Sequence, residues 1–199
     1  MKTCILFSIA SLVIGTSLRT ASAAPLLFDS LNGTSSTSIR TAESSPGVEV
    51  SIASTITLND IAVNNNLDSP GNMKFLVFNA TTLLPIYVGP AIPETTGTTW
   101  KISSDFSLVL QPGLYDIGAI SDTSGEWTYD VTAGTASGIT SLVTNPNFSV
   151  FAAPVDSNRA GADGAVRLYG AVGVPEPTSG ILTALGIASL SLRRRRIAV

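Results

Sequence analysis

The sequence predicts an all-β protein, a single antiparallel β-sandwich with jelly-roll-like connections, between an N-terminal signal peptide and a short C-terminal transmembrane helix. Apolar and polar residues alternate with a period of two in many short runs, and Gly, Pro, Asn or Asp residues interrupt them about every 8–12 residues. No helical period occurs between the two ends of the chain. The intervening stretch of roughly 150 residues is long enough to bury one stable core without cross-links.

The middle of the chain divides into an arm, a sandwich and a linker. Residues 24–47 are rich in Ser, Thr, Gly and Asn, which predicts a flexible N-terminal arm. The β-sandwich is predicted over residues 48–170, with a linker at 171–177. Residues 74–78 are apolar on both faces, which is typical of a central strand beneath a second sheet. The predicted strands cover residues 48–52, 56–58, 61–63, 74–78, 83–88, 100–102, 106–110, 114–120, 127–131, 148–152 and 165–169, with polar turns at 64–72 and 111–113.

The N-terminus has the pattern of an export signal. Lys2 gives it a positive start, and residues 5–18 form an apolar run. The small residues Ala21 and Ala23 then match the cleavage pattern of signal peptidase, with a mature start at Ala24. The first 23 residues are therefore predicted to be a signal peptide, with signal peptidase as a partner.

The C-terminal tail begins with Val174, Pro175, Glu176 and Pro177. Each proline fixes its own φ and moves the preceding residue away from the helical region, so this motif is expected to be extended and accessible to a protease. Residues 178–192 follow as an apolar run without a charge. As a helix this run would be about 22 Å long, against a hydrocarbon core of about 30 Å, so we predict a short and transient membrane anchor.

A basic segment at residues 193–199 ends the tail. Arg193, Arg194, Arg195 and Arg196 are costly to translocate, so they are expected to stay in the cytoplasm and leave the preceding domain outside. Two alternatives remain for the tail, an ordinary short anchor and a basic amphipathic helix lying on the membrane. Neither alternative explains the proline pair or the export signal at the other end.

The order of these three parts at the extreme C-terminus resembles the PEP-CTERM sorting signal of bacterial envelope proteins. The resemblance covers residues 174–196. It implies recognition by an exosortase-like processing enzyme that cuts near the motif, transient anchoring in the inner membrane, and association with exopolysaccharide or the outer surface. The run through residues 56–78, with Trp100 and residues 111–118, also loosely resembles the β-sandwich ectodomains of such proteins and carbohydrate-binding modules.

Composition excludes several classes of function. The sequence contains no histidine, and its one cysteine, Cys4, lies in the predicted signal peptide. The mature chain therefore has no Ser-His-Asp or Cys-His arrangement and no His- or Cys-based metal centre. Residues 24–176 carry five basic and fourteen acidic side chains, a net charge of −9 without a basic cluster, which argues against nucleic acid as a partner. No cofactor is expected.

Four aromatic residues are candidates for stacking on sugar rings, because each combines an apolar face with a polar group; core packing is the alternative for each of them. They are Trp100, Trp127, Tyr115 and Tyr129.

Acidic residues supply two further candidates. The first is a group of carboxylates around one hairpin, which could run acid–base glycoside hydrolysis or lie as solvated residues at turns and edges: Asp116, Asp122, Glu126 and Asp130. The second is Asp156, Asn158 and Asp163, whose spacing is similar to the start of a calcium loop, although no acidic residue closes it; a flexible turn is the alternative.

The sequence as a whole predicts an exported, non-enzymatic protein of the cell envelope or extracellular matrix. A carbohydrate-binding module is the first alternative, and a glycan-active enzyme is the second.

Overall fold

The structure, a computed structural model, describes residues 24–33 and 35–173. The predicted signal peptide, sorting motif, transmembrane helix and basic tail lie outside these residues. Within the described ranges all regular structure is β-strand. None of the described residues belongs to a helix that is long and apolar enough to cross a membrane.

The strands follow one another closely along the chain. In order they are β1 (Leu26–Asp29), β2 (Ser36–Arg40), β3 (Ser44–Ile52), β4 (Ile56–Leu67), β5 (Gly71–Asn79), β6 (Pro85–Val88), β7 (Ile92–Glu94), β8 (Thr99–Ile102), β9 (Leu108–Leu110), β10 (Gly113–Ser121), β11 (Gly125–Asp130), β12 (Thr135–Ala136), β13 (Ile139–Ser141), β14 (Asn145–Ser149), β15 (Val155–Ala160), β16 (Asp163–Gly164) and β17 (Val166–Val172).

These strands form two antiparallel sheets. Sheet 1 has the order β1-β17-β4-β11-β16, with β2 paired to β11 and with β8 and β9 paired to β4. Sheet 2 has the order β12-β13-β3-β10-β5-β6, with β7 paired to β5 and the hairpin β14–β15 paired to β3. Most neighbours within a sheet are not consecutive in sequence, so the chain crosses repeatedly between the two sheets.

The main core lies between the sheets and is built by strand alternation. In sheet 2, Ile117 lies opposite both Val48 and Val77, and all three are buried. In sheet 1, Ile61 and Leu168 are opposite each other and belong to the same buried cluster. Because one cluster contains side chains from both sheets, their inner faces pack against each other, as in a sandwich.

A second, smaller core lies on the outer face of sheet 2. Leu76, Phe78 and Ile120 alternate with the inward-facing residues of β5 and β10, and they are fully buried. Phe148 of the β14–β15 hairpin covers them, with its ring 5.5 Å from that of Phe78. Strand β5 is therefore apolar on both faces because a second sheet covers one side and a hairpin covers the other.

The structure corrects the predicted arm and linker. Residues 24–47 contain β1, β2 and the start of β3, and Phe28 is buried in the main core. Their Ser- and Gly-rich composition concealed short paired strands. The predicted linker begins later than expected, because Ala171 and Val172 belong to β17 and pair with β4. The predicted turn at residues 64–72 also begins late, since β4 continues to Leu67.

Candidate functional site

The outer face of sheet 1 is where this protein presents polar and aromatic groups to solvent. In β17, Val166 and Leu168 are buried, whereas the alternate residues Arg167 and Tyr169 are half-buried and point outwards. The strand pairings place Asp60 of β4 opposite Tyr169, and Trp100 of β8 opposite Asn64 of β4.

A cleft of about 370 Å³ lies at one end of this face. Its walls come from three strands, the segment before β1 and the loop after β8: Ala24, Asp60, Ile102, Ser103, Asp105 and Tyr169. Burial raises the pKa of Asp60, and the nearby charge of Asp105 raises it further, while the Ser103 side chain partly opposes both effects by hydrogen bonding. The cleft therefore favours a cationic group over an anionic one.

The Trp100 ring lies on this face, as the Tyr169 ring does. The Trp100 ring is half-buried, and the Arg167 guanidinium lies 3.9 Å from its centre. Arg167 is held in turn by Asp29, whose Oδ2 accepts a hydrogen bond of 2.7 Å from Nε. This cation–π contact links the Trp100 side chain on β8 to β17 across β4 and leaves the ring half-buried.

The other three predicted stacking residues lie in the core. Trp127 is 2 % exposed, and Tyr115 and Tyr129 are also buried in the main cluster. The Tyr115 hydroxyl donates a hydrogen bond to the Gln111 carbonyl, and the Tyr129 hydroxyl accepts one from Arg40 Nε. Core packing is thus the correct interpretation for these three, and the stacking hypothesis is wrong for them.

The four predicted hairpin carboxylates do not share a cleft. Asp116 belongs to sheet 2, whereas Glu126 and Asp130 belong to sheet 1, so the two sheets separate them. Asp122 accepts hydrogen bonds from the backbone and side chain of Asn72. The alternative of solvated residues is wrong for Asp116 and Asp130, which are both fully buried.

Asp130 instead organises the start of the chain. Its carboxylate accepts hydrogen bonds from the backbone N–H groups of Asn32 and Gly33, at 2.6 Å each, and from Thr132 at 2.9 Å. Burial raises the pKa of Asp130, but these donors outweigh it and leave the pKa below its usual value. Asp130 therefore attaches the segment after β1 to the end of β11.

Asp163 lies directly opposite Asp130, across the β11–β16 pair, and is fully buried. Burial raises its pKa to about 6. The Ser141 hydroxyl and the N–H groups of Val143 and Thr144 oppose this shift in the pKa only in part, and the charge of Asp130 adds to it. Asp163 is thus a buried carboxyl group that binds its proton more tightly than an ordinary aspartate does.

The predicted calcium residues do not form one loop. Asp156 is in β15 and pairs with Phe148, whereas Asp163 is in β16 and pairs with Asp130; Asn158 is also in β15. The alternative, a flexible turn, is wrong as well, because these residues form two strands. No group of three or more acidic, Cys or His side chains suited to a metal occurs among the described residues.

Sequence reasoning missed the cleft residues. Asp60 lies in a strand that also contains four asparagines, and its alternation with the buried residue Ile61 is the one signal that could have placed it on an outer face. Nothing in the sequence relates residues 24, 60, 105 and 169, because their proximity depends on the pairing of β1 with β17 and on the pairing of β4 with both β17 and β8.

Comparison with known proteins gives no further guide to this site: no family model, no curated protein and no solved structure matches the chain.

Proposed function

We propose that this protein is exported, sorted through its C-terminal PEP-CTERM-like tail, and displayed in the cell envelope or extracellular matrix as a non-enzymatic β-sandwich. The observation that carries the proposal is the ordered tail, in which the Pro-Glu-Pro motif, the apolar run and four arginines follow one another at residues 174–196. An export signal at the opposite end supports it, because a sorting signal of this kind acts on exported chains.

The fold is compatible with this role. The last strand, β17, ends at Val172, so one residue separates it from the motif at Val174. An enzyme that reads the motif would then act beside the folded domain without having to open it. We also propose a jelly-roll-like arrangement of the two sheets, which is supported by the alternation of chain-distant strands such as β3, β10 and β5 within one sheet.

The sorting proposal is tested by replacing Pro175, Glu176 and Pro177 with alanine in the producing cells. Export should continue, and an unprocessed form should accumulate in the membrane, because the recognition element is lost while the apolar run remains. The exposed pair Thr95 and Thr96, changed to alanine, is the control. Processing and distribution like those of the parent would show that the motif is not recognised.

A second candidate function, polysaccharide binding, is favoured by Trp100. It is the one predicted stacking residue that remains partly at the surface, on the same face as Tyr169 and the acidic cleft. If the parent protein is retained on the cells' own exopolysaccharide and the Trp100→Ala variant is not, the result would support binding. If the parent shortens that polysaccharide and the Asp60→Asn variant does not, the result would indicate an enzyme and contradict the non-enzymatic proposal.

A further inference from the structure

The cleft on sheet 1 contains the residue at which the mature chain is predicted to begin. Ala24 forms part of the wall, beside Asp60, Asp105 and Tyr169. Its position is fixed by the residues that follow: the Pro25 carbonyl accepts a hydrogen bond of 2.9 Å from Gly170 N–H, and Leu26 pairs with Tyr169. Strand pairing therefore holds residue 24 at the cleft.

The electrostatic surroundings of Ala24 are negative. Asp60 faces the cleft from β4 and Asp105 from the loop that precedes β9, while the described wall contains no Lys or Arg. Tyr87, from β6, is also close, since burial and then the charge of Asp60 raise the pKa of its hydroxyl. Ser103 stabilises the Asp60 carboxylate only in part. A positive charge on the cleft wall would relieve the repulsion between the two carboxylates.

We infer that removal of the signal peptide places a new α-ammonium group in this cleft, where Asp60 and Asp105 bind it. The inference depends on the export proposed above. Hydrolysis of the Ala23–Ala24 peptide bond consumes one water molecule; Ala23 leaves with a carboxylate, and the Ala24 nitrogen keeps its electron pair and is protonated at neutral pH. Before the cut the same nitrogen is a neutral amide, so the ion pair exists only in the mature protein.

This ion pair would couple processing to the stability of the folded domain. Strand β1 lies at the edge of sheet 1, where β17 is its one pairing partner among the described strands. An ammonium group bound just before β1 would anchor this edge strand to β4 and to the loop after β8. The precursor would lack that anchor, so the mature domain would be the more stable form.

The test measures the reactivity of the Ala24 amine. Mature protein is purified from the producing cells, its N-terminus is identified by mass, and it is acetylated at pH 7 with an N-hydroxysuccinimide ester. An amine held as ammonium should react about tenfold more slowly in the parent than in the Asp60→Asn/Asp105→Asn variant. Lys74, in sheet 2, serves as the internal reference and should react equally in both.

Every result of this acetylation experiment supports or contradicts the binding of the Ala24 ammonium group. Asp105→Asn alone, at an exposed position, should give an intermediate rate and replaces the double variant if that variant does not fold. Equal rates in parent and variants would overturn the inference while leaving export intact. A mature start at another residue would do the same. Secretion of no processed chain at all would overturn both the inference and the proposed export.

Discussion

The outer faces of the two sheets differ in what covers them. On sheet 2, the β14–β15 hairpin lies over Leu76, Phe78 and Ile120, and Phe148 is fully buried against them. On sheet 1, no strand of the described chain lies over the corresponding surface, where Ile102 is 50 % exposed and Trp100 and Tyr169 are half-buried. Among the described residues, the protein thus closes one outer face with its own hairpin and leaves side chains of the other exposed to solvent.

Glycines make the closed face possible. Gly47 and Gly118 lie opposite each other on β3 and β10, directly beneath the Phe148 ring. A Cβ at Gly118 would lie 2.8 Å from Cε2 of Phe148 and 2.9 Å from the Cα of Gly47, which is closer than real Cβ atoms approach. The ring can approach the sheet because neither position carries a side chain.

Among the changes that test this difference between the two outer faces, removal of the Phe148 ring should have the largest effect on stability. Phe148→Ala would leave a cavity under the hairpin and expose Phe78, so we expect a loss of about 3–5 kcal/mol in the free energy of unfolding. Phe151→Ala is the matched control, because Phe151 is only partly buried beside the same cluster. Denaturant unfolding of both variants measures the difference; equal losses would show that the hairpin does not close this face.

Burial also determines how the carboxyl groups of this protein respond to pH. Asp163 is fully buried and its pKa is raised to about 6, so the folded state binds its proton more tightly than the unfolded state does. The folded state should therefore gain stability as the pH falls from above 6 towards 4, by up to about 3 kcal/mol. Asp60 adds a change of the same sign, whereas Asp130, whose pKa is lowered, loses its contribution only at more acidic pH.

Asp163→Asn should remove most of the pH dependence of the free energy of unfolding. The variant should be more stable than the parent at pH 8, and this difference in stability should shrink towards pH 4. Thermal melting between pH 4 and pH 8 measures it, with Asp68→Asn at an exposed turn as the control. A parent protein whose stability is flat over this range, or a variant that follows the parent's slope, would contradict the assignment.

The sequence predicted the all-β class and most of the central strands because they alternate strongly. The run at residues 74–78 also correctly predicted a central strand beneath a second sheet, and the β14–β15 hairpin covers the other face of this strand. Short strands such as β1 and β2 were missed, since their pairing depends on the distant strands β17 and β11. Composition near a turn cannot reveal partners that lie more than 80 positions away.

The sites were harder to predict than the strands because exposure decides them. Trp100 and Trp127 are equivalent as sequence signals, and only the sheet faces distinguish them: β11 turns Trp127 into the core, whereas Trp100 rests under Arg167 at the surface. Likewise, Asp116 and Asp130 look like turn residues in the sequence, and the fold buries both.

The smallest stability change is expected for Trp100. Trp100→Ala removes a half-buried ring and its cation–π contact with Arg167, a loss of about 1 kcal/mol, whereas Trp127→Ala empties a core position and should cost about 3–5 kcal/mol. If the open face binds polysaccharide, the first variant should lose retention on the cells' exopolysaccharide while melting close to the parent. The second should keep retention at temperatures where it remains folded, because its ring never reaches the surface. Equal retention by the parent and Trp100→Ala would show that this tryptophan does not bind the polysaccharide. A large stability loss in Trp100→Ala would show that its ring is a core residue.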